Sequence, residues 1–522
     1  MSATIAKSER RWALRWAAIT VALALLPYLL AWLLAPDGSR YTGLLINHLD
    51  GESYYAKMQQ GARGDWRFHL PFTPESHEGV LVYTLYLALG HLAAALHLPI
   101  PWVYHLARAA AGLFMLLVAY RFIAYFFERQ PTRRVAFLLL AFSAGFGWLF
   151  APLGIVLADL WVAEGFTFLS ILVNAHFPLA IGLMLLIFST VLDLEHVPLR
   201  PAHLARAGAA GLLLVVVQPF PMPVALAVLG VYLGLMALRR RRLPWGQILV
   251  TGVAAAAASP VLLYDLYVYR TNPALAAWSA QNVTASLPPW NYALAYGLVL
   301  ILALPGAAIV LRRRRPTDLF MLSWVGSVGL LLYVPFALQR RFIIGLHVPL
   351  VLLAATGLEQ AIRPRLAPRR RGLATRLIVA FSALTNLLVP LIAVAGAAAG
   401  EPSLVMDRDL AAACDWLGEH TAWTDTILAP VEAGHLIPAW AGNRVVYGHP
   451  FETIDAEAKK TEVEKFYDPE TTDTERRALL QRYSVRYVLV LPPEYGGKPV
   501  ELDLAPAWHQ GEAVLYRVQD SP

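Results

Sequence analysis

Apolar residues in this chain gather into long uninterrupted runs and do not alternate with polar ones. About eleven runs approach the roughly twenty residues that cross a bilayer. They fall at 12–35, 101–127, 134–152, 168–192, 203–218, 222–238, 246–264, 291–311, 318–337, 342–361 and 375–397. The polar breaks between them hold arginine in clusters: Lys7/Arg10/Arg11/Arg15, Arg129/Arg133/Arg134, Arg200/Arg206, the arginines of 239–242 and 312–315, and the run 363–376. Cytoplasmic loops carry the Lys/Arg excess. With the N-terminus inside, this set of spans puts every one of those clusters on the cytoplasmic face.

That arrangement requires the apolar run 78–96 (EGVLVYTLYLALGHLAAAL) to lie along the surface instead of spanning. It carries His91 in its body and ends at the breaker HLPIP. Residues 36–100 then form one external loop with two juxtamembrane helices, at 50–63 and 78–96. Past Gly400 the pattern changes: apolar runs shorten and charge rises. Segments 425–430, 443–449, 485–491 and 513–518 have the β-branched, bounded character of short strands, and 407–420, 456–467 and 472–483 read as helices. The predicted fold is mainly α: a polytopic membrane protein with about eleven transmembrane helices, two external juxtamembrane helices and a small C-terminal α/β external domain. The predicted domains are 1–398, in the membrane, and 399–522, outside it.

Composition agrees with the pattern. Of 522 residues 57% are hydrophobic and 15% are charged, against about 25% charged in soluble globular domains. Mean hydropathy is +0.51. The pI near 9.4 would suit nucleic acid, but the arginines sit at membrane edges, so no nucleic-acid partner is expected. The first run is too long for a signal-peptide core and reads as a retained anchor. The single cysteine, Cys414, allows no internal disulfide and no metal knuckle.

One basic pair breaks the charge pattern. Arg340 and Arg341, in LQRRFIIGLHVPL, fall at the external end of a span with no carboxylate nearby in sequence. Guanidiniums bind phosphate in a bidentate fork, so this pair, with Gln339, suits a lipid phosphate; ordinary snorkelling to headgroups is the alternative. The first external loop opens NHLDGESYYAKMQQG, with Asp50, Glu52 and Tyr54 directly after the first span. Asp50 also has the character of a helix N-cap.

An acidic residue after the first span, two juxtamembrane helices, a spanning core and a C-terminal external domain together resemble the GT-C superfamily of membrane glycosyltransferases. Protein O-mannosyltransferases and the aminoarabinose transferase of lipid A belong to that group. The resemblance rests on architecture and, among residues, on Asp50 and more loosely on Gln339-Arg340-Arg341. It implies an inverting transfer of sugar from a polyprenyl-phosphate donor to an acceptor hydroxyl on a protein, lipid or glycan at the external face of a plasma (inner) membrane. Asp50 would be the general base, with Glu52 beside it, because the attacking hydroxyl must shed a proton. Arg340 and Arg341 would stabilise the leaving lipid phosphate.

Further candidates for substrate contact are His77 and Glu78, expected to open the second surface helix, and Asn174 and His176 near the end of a span. Gln218 at a helix turn, Asp265 at the head of a loop 265–290, and His449 complete the set. The last lies in GNRVVYGHPFET with Tyr447, Glu452 and Thr453, where the alternative is turn chemistry with Glu452-Thr453 opening a helix. His48, Glu52, His69, His77 and Glu78 share a loop, but their irregular spacing matches no metal motif. No cofactor is expected, with a divalent ion as the alternative. A transporter or flippase, and a non-catalytic membrane scaffold, are the rival classes; the spans lack the broken paired helices that mark ion-coupled transport.

Overall fold

A computed structural model describes residues 5–492 and 502–518. Among the described residues, nine helices are long and apolar enough to cross a membrane, from Lys7–Leu34 to Pro368–Ala398. The predicted spans 203–218 and 318–337 correspond to the shorter apolar helices Pro201–Val217 and Pro316–Leu331. The chain is a multi-pass membrane protein. The run 78–96 forms a helix only at Thr84–Leu96. Its 13 residues extend about 20 Å at 1.5 Å per residue, short of a bilayer core about 30 Å thick.

Two expectations are corrected, and one span carries an interruption. The predicted span 168–192 is two helices, Thr167–Val173 and His176–Asp193, broken at Asn174. The Asn174 carboxamide oxygen accepts the Phe177 N–H at 3.3 Å, which competes with helix continuation. The predicted span 134–152 lies within the candidate span Gln130–Leu153, which is interrupted after Phe142, where the Gly145 and Gly147 N–H groups turn to the buried Asp159 carboxylate, each at 3.0 Å. Asp265 does not head a loop; the helix Trp245–Thr271 runs six residues beyond it, apolar and aromatic residues continuing the pattern.

By contacts the chain forms two units. A helical unit comprises 1–27, 105–264 and 284–392, and a mixed unit comprises 28–104, 265–283 and 393–522. In the helical unit, Pro289–Arg313 and His347–Gly357 cross closely at glycines. A Cβ on Gly306 would lie 1.9 Å from the Leu353 carbonyl oxygen, and one on Gly357 would lie 2.1 Å from that of Leu302. Small residues let membrane helices approach backbone to backbone. Carboxylates of its polar breaks are paired with arginine: Glu9 with Arg133 at 3.2 Å, and Asp318 with Arg313 at 2.6 Å.

In the mixed unit, α2 (His48–Ala62) and α3 (Thr84–Leu96) follow α1 (Lys7–Leu34). α2 and α3 also cross at glycines: a Cβ on Gly61 would lie 2.0 Å from Leu87 O, and one on Gly90 would lie 2.0 Å from Met58 O. Strand β1 (Arg40–Tyr41) pairs antiparallel with β2 (Val405–Met406). A second sheet has order β4-β3-β5-β7-β6, from β3 (Thr426–Leu428), β4 (Arg444–Val445), β5 (Val485–Val490), β6 (Ala505–Gln510) and β7 (Ala513–Arg517). β3 runs parallel to β4 and β5, while β7 is antiparallel to β5 and β6.

The strand period of two sorts side chains into two cores. Ile427 and Leu489 join Leu410, Cys414 and Leu417, whereas Leu428, Val488 and Val490 join Val463, Phe466 and Leu480. Four of these five strands correspond to predicted segments. The fifth, β6, contains Pro506, which argues against a central strand, but β6 lies at the sheet edge where proline is tolerated. Asp407 caps the helix Arg408–His420 by accepting the Leu410 N–H at 2.6 Å.

Candidate functional site

The carboxyl ends of β3 and β4 face α2 within the mixed unit, and the loops leaving them carry His435, His449 and Glu452. In open α/β sheets, those loop ends are the usual place for function. α2 presents two faces to its surroundings. Asp50 is exposed in its first turn, whereas Glu52, two residues on, is fully buried. The helix begins at His48 with Asn47 preceding it, so Asp50 is not the N-cap.

A buried ion pair fixes the middle of α2. Lys57 Nζ donates to both Glu452 oxygens, at 3.0 and 3.2 Å, and to Ser53 Oγ. Ser53 Oγ in turn donates to Glu452 Oε1 at 2.6 Å. The ammonium also lies over the Tyr83 ring at 4.4 Å and the Phe68 ring at 5.3 Å. Burial opposes ionisation of Glu452, but the Lys57 ammonium, with the Ser53 hydroxyl, outweighs it and holds the carboxyl below its usual range. Toward its end, α2 is tied to the short helix Leu436–Trp440, since Gln59 Nε2 donates to the Ala439 and Trp440 carbonyls at 3.1 and 3.2 Å. Tyr54 stacks on Tyr86 with ring centroids 4.3 Å apart.

Nearer the start of α2, Glu52 Oε2 lies 3.1 Å from His435 Nε2. Burial pushes the Glu52 carboxyl well above the usual carboxylate range. Burial, helped by His48 and His449, pushes His435 down to about 3. His449 Nδ1 accepts the Phe451 and Glu452 N–H groups at 3.1 and 3.2 Å, so its neutral ring carries the proton on Nε2. Thr453 Oγ1 accepts the His449 N–H at 3.1 Å. This turn aims Glu452 at Lys57. The Glu452-Thr453 helix opening is therefore corrected: the helix starts later, at Ala456.

The basic pair sits in the helical unit, in the 3-10 turn Gln339–Ile343. The Arg340 guanidinium lies 4.3 Å from the Trp161 ring centroid, and that of Arg341 lies 5.6 Å from the Phe220 ring. Both arginines are half-buried. The Gln339 carboxamide bridges the Val334 carbonyl at 2.6 Å and the Ser286 N–H at 3.1 Å. Phe220 follows the buried Gln218, so the Arg341 stack puts that helix turn beside the pair.

The remaining candidates are scattered. His77 and Glu78 precede α3 by several residues and do not open it, because the helix starts only at Thr84. His77 Nε2 accepts the Leu70 N–H, and its Nδ1 lies 2.9 Å from Glu75 O, so both nitrogens serve the loop fold. Glu78 is exposed, and its carbonyl accepts from Asn272 at 3.0 Å. Asn174 and His176 are buried at the helix break. Sequence reasoning missed His435, a lone histidine in VEAGHLIP with no local signal, and the structural carboxylate Asp159. Among the described residues, no group of three or more His, Cys, Asp or Glu is arranged to hold a metal ion.

No protein-family model matches this chain, and no curated protein matches it by sequence. Solved structures do. ArnT from Cupriavidus metallidurans, solved with undecaprenyl phosphate, aligns at TM-score 0.57 over 96% of this chain and 97% of that one, with 14% identity. The fold is that of the GT-C glycosyltransferases. Archaeal oligosaccharyltransferase AglB from Archaeoglobus fulgidus, in complex with an inhibitory peptide and a dolichol-phosphate, aligns at TM-score 0.51 over 90% of this chain and 69% of that one, also at 14% identity. Mycobacterial arabinofuranosyltransferase AftD gives TM-score 0.52 at 14% identity over 96% of this chain, which spans 41% of AftD. The GT-C likeness at this identity is one of fold, and extends across both units of the chain.

Proposed function

We propose that this protein is an integral-membrane glycosyltransferase that moves a sugar, with inversion, from a polyprenyl-phosphate donor to an acceptor hydroxyl. The observation that carries the reading is the GT-C fold together with an exposed carboxylate, Asp50, in the first turn of the helix after the first span. Two solved proteins of that fold hold a polyprenyl-type phosphate, undecaprenyl phosphate in ArnT and dolichol-phosphate in AglB.

In this reading Asp50 accepts the proton of the attacking hydroxyl as its oxygen bonds to the anomeric carbon. The bond from that carbon to the phosphate oxygen breaks, and the electron pair leaves with the lipid phosphate. Arg340 and Arg341 stabilise the charge gathering there. Stacking on Trp161 and Phe220 supports this role, since an aromatic face orients a guanidinium plane. The N-terminus lies in the cytoplasm, and α2, α3 and the C-terminal α/β segment lie at the external face of a plasma membrane. The arginine-rich breaks support that orientation by the positive-inside rule.

Purified protein in lipid, given a panel of radiolabelled polyprenyl-phosphate sugars, tests the proposal. Label should pass to acceptor with the wild type and not with Asp50→Asn of equal folding. Full turnover by Asp50→Asn would remove Asp50 from the chemistry. Movement of label across sealed vesicles without a new covalent bond would make the protein a transporter. The reading uses no metal ion, so turnover should survive chelator.

A further inference from the structure

Asp50 and Glu52 stand two residues apart, about 200° around the helix, and live in opposite environments. Asp50 is exposed; the Glu52 side chain is wholly buried. Among the described residues, neither Glu52 oxygen nor His435 Nε2 makes a hydrogen bond, and Glu52 Oε2 and His435 Nε2 face each other at 3.1 Å. A buried carboxylate needs a cation or several donors to stay ionised. The one ammonium on the same helix, Lys57, is already engaged by Glu452 at 3.0 and 3.2 Å. The other titratable groups around the pair are His48 and Asp50 on α2 and His449 on the loop after β4. His449 accepts at Nδ1, the pattern of a neutral ring. Nothing in this set supplies a fixed positive charge to Glu52.

We propose that Glu52 is a neutral carboxylic acid whose O–H donates to Nε2 of a neutral His435, and that this bond is the clamp holding the first turn of α2 against the loop after β3. The imidazole proton then sits on Nδ1, and no net proton moves. Glu52 is a positioning residue: it orients the helix turn that exposes Asp50 on the other face. The second clause rests on the catalytic reading of Asp50, whereas the protonation state of Glu52 does not.

Helix geometry supports the division of labour. Gly51 separates the two carboxyl groups, and a Cβ there would meet the Leu44 side chain at 2.6 Å. The backbone between them is thus pressed against its neighbour. A clamp on the buried side transmits to the exposed side through one rigid helical turn.

Infrared difference spectroscopy on the full-length protein in lipid at neutral pH tests the first part. The expected spectrum contains the carbonyl stretch of a buried protonated carboxylic acid, slow to shift in heavy water, which Glu52→Gln removes. Absence of that band, or its persistence in Glu52→Gln, overturns the proposal. For the second part, Glu52→Ala should lower kcat about 30-fold at unchanged donor KM, and Glu52→Gln, which keeps a donor toward His435, should restore it to within about threefold. Loss of turnover in a folded Glu52→Gln equal to that in Asp50→Asn would make Glu52 a base and overturn the clamp. If no variant and no wild type transfers sugar, the catalytic reading fails while the infrared result still decides the state of Glu52.

Discussion

The α2 patch and the arginine turn hold their charged groups by different physics. Around α2, charge is fixed by short hydrogen bonds in a buried setting: Lys57, Ser53 and Glu452 form a closed cluster. At Gln339–Ile343, the two guanidiniums are half-buried and lean on aromatic faces. A closed cluster satisfies its members and leaves little chemistry to spare, so its work is to set geometry. An aromatic ring beside a guanidinium leaves its charge in place without neutralising it, unlike the carboxylate that closes the Lys57 cluster. The contrast gives the interior of the α2 patch a scaffolding part and agrees with the proposal that the chemistry belongs to its exposed carboxylate. In the proposed mechanism, charge recognition falls to the arginines.

The sharpest way to break that contrast is at Asp50. Asp50→Asn should cut transfer by roughly 10²–10⁴-fold, the range for loss of a general base, without altering the melting temperature in lipid. A large effect on melting would place Asp50 with the scaffold instead. Next comes the closed cluster. Glu452→Ala strands the Lys57 ammonium in a buried site and should destabilise the mixed unit by about 3–5 kcal/mol, read by chemical unfolding. Lys57→Met with Glu452→Leu, which removes both charges, should recover most of that loss. Equal damage from the double variant would mean that the charges do more than satisfy each other.

Arg340→Ala and Arg341→Ala should each cost about 1.5–3 kcal/mol in donor recognition, as for hydrogen bonds to charged groups, seen as a raised donor KM. Lysine should not rescue either, since it lacks the planar stack. The last expected effect is on pH. His435 is neutral in the fold with a pKa of about 3, against about 6.5 unfolded. Below about 6.5 the unfolded chain takes up a proton that the folded one refuses, so stability falls as pH drops from 6.5 toward 3. His435→Gln should flatten that slope in thermal melts; an unchanged slope would assign the titration to other groups.

How far the sequence reaches depends on the kind of signal. Spans were legible because a bilayer demands one length and one composition, so all eleven predicted runs have helical counterparts. The breaks at Asn174 and after Phe142 were not, since they arise from a side chain and a distant carboxylate taking over backbone N–H groups. Strands of the C-terminal segment showed through β-branched runs, except β6, hidden by Pro506. Asp50 was legible as a carboxylate after a span. Its neighbour Glu52 looked equivalent in the sequence and differs only by the face of the helix it occupies.

By itself the sequence determined whatever local composition dictates: a multi-pass membrane protein, two helices between the first and second long apolar runs, a small α/β segment, and Asp50 and Arg340-Arg341 as charges out of pattern. Only the tertiary structure decided which carboxyl group is buried, that Lys57 belongs to Glu452 some four hundred residues on, and that His435 meets Glu52. Such pairings depend on where chain-distant loops come to rest, and no window along the chain contains both partners.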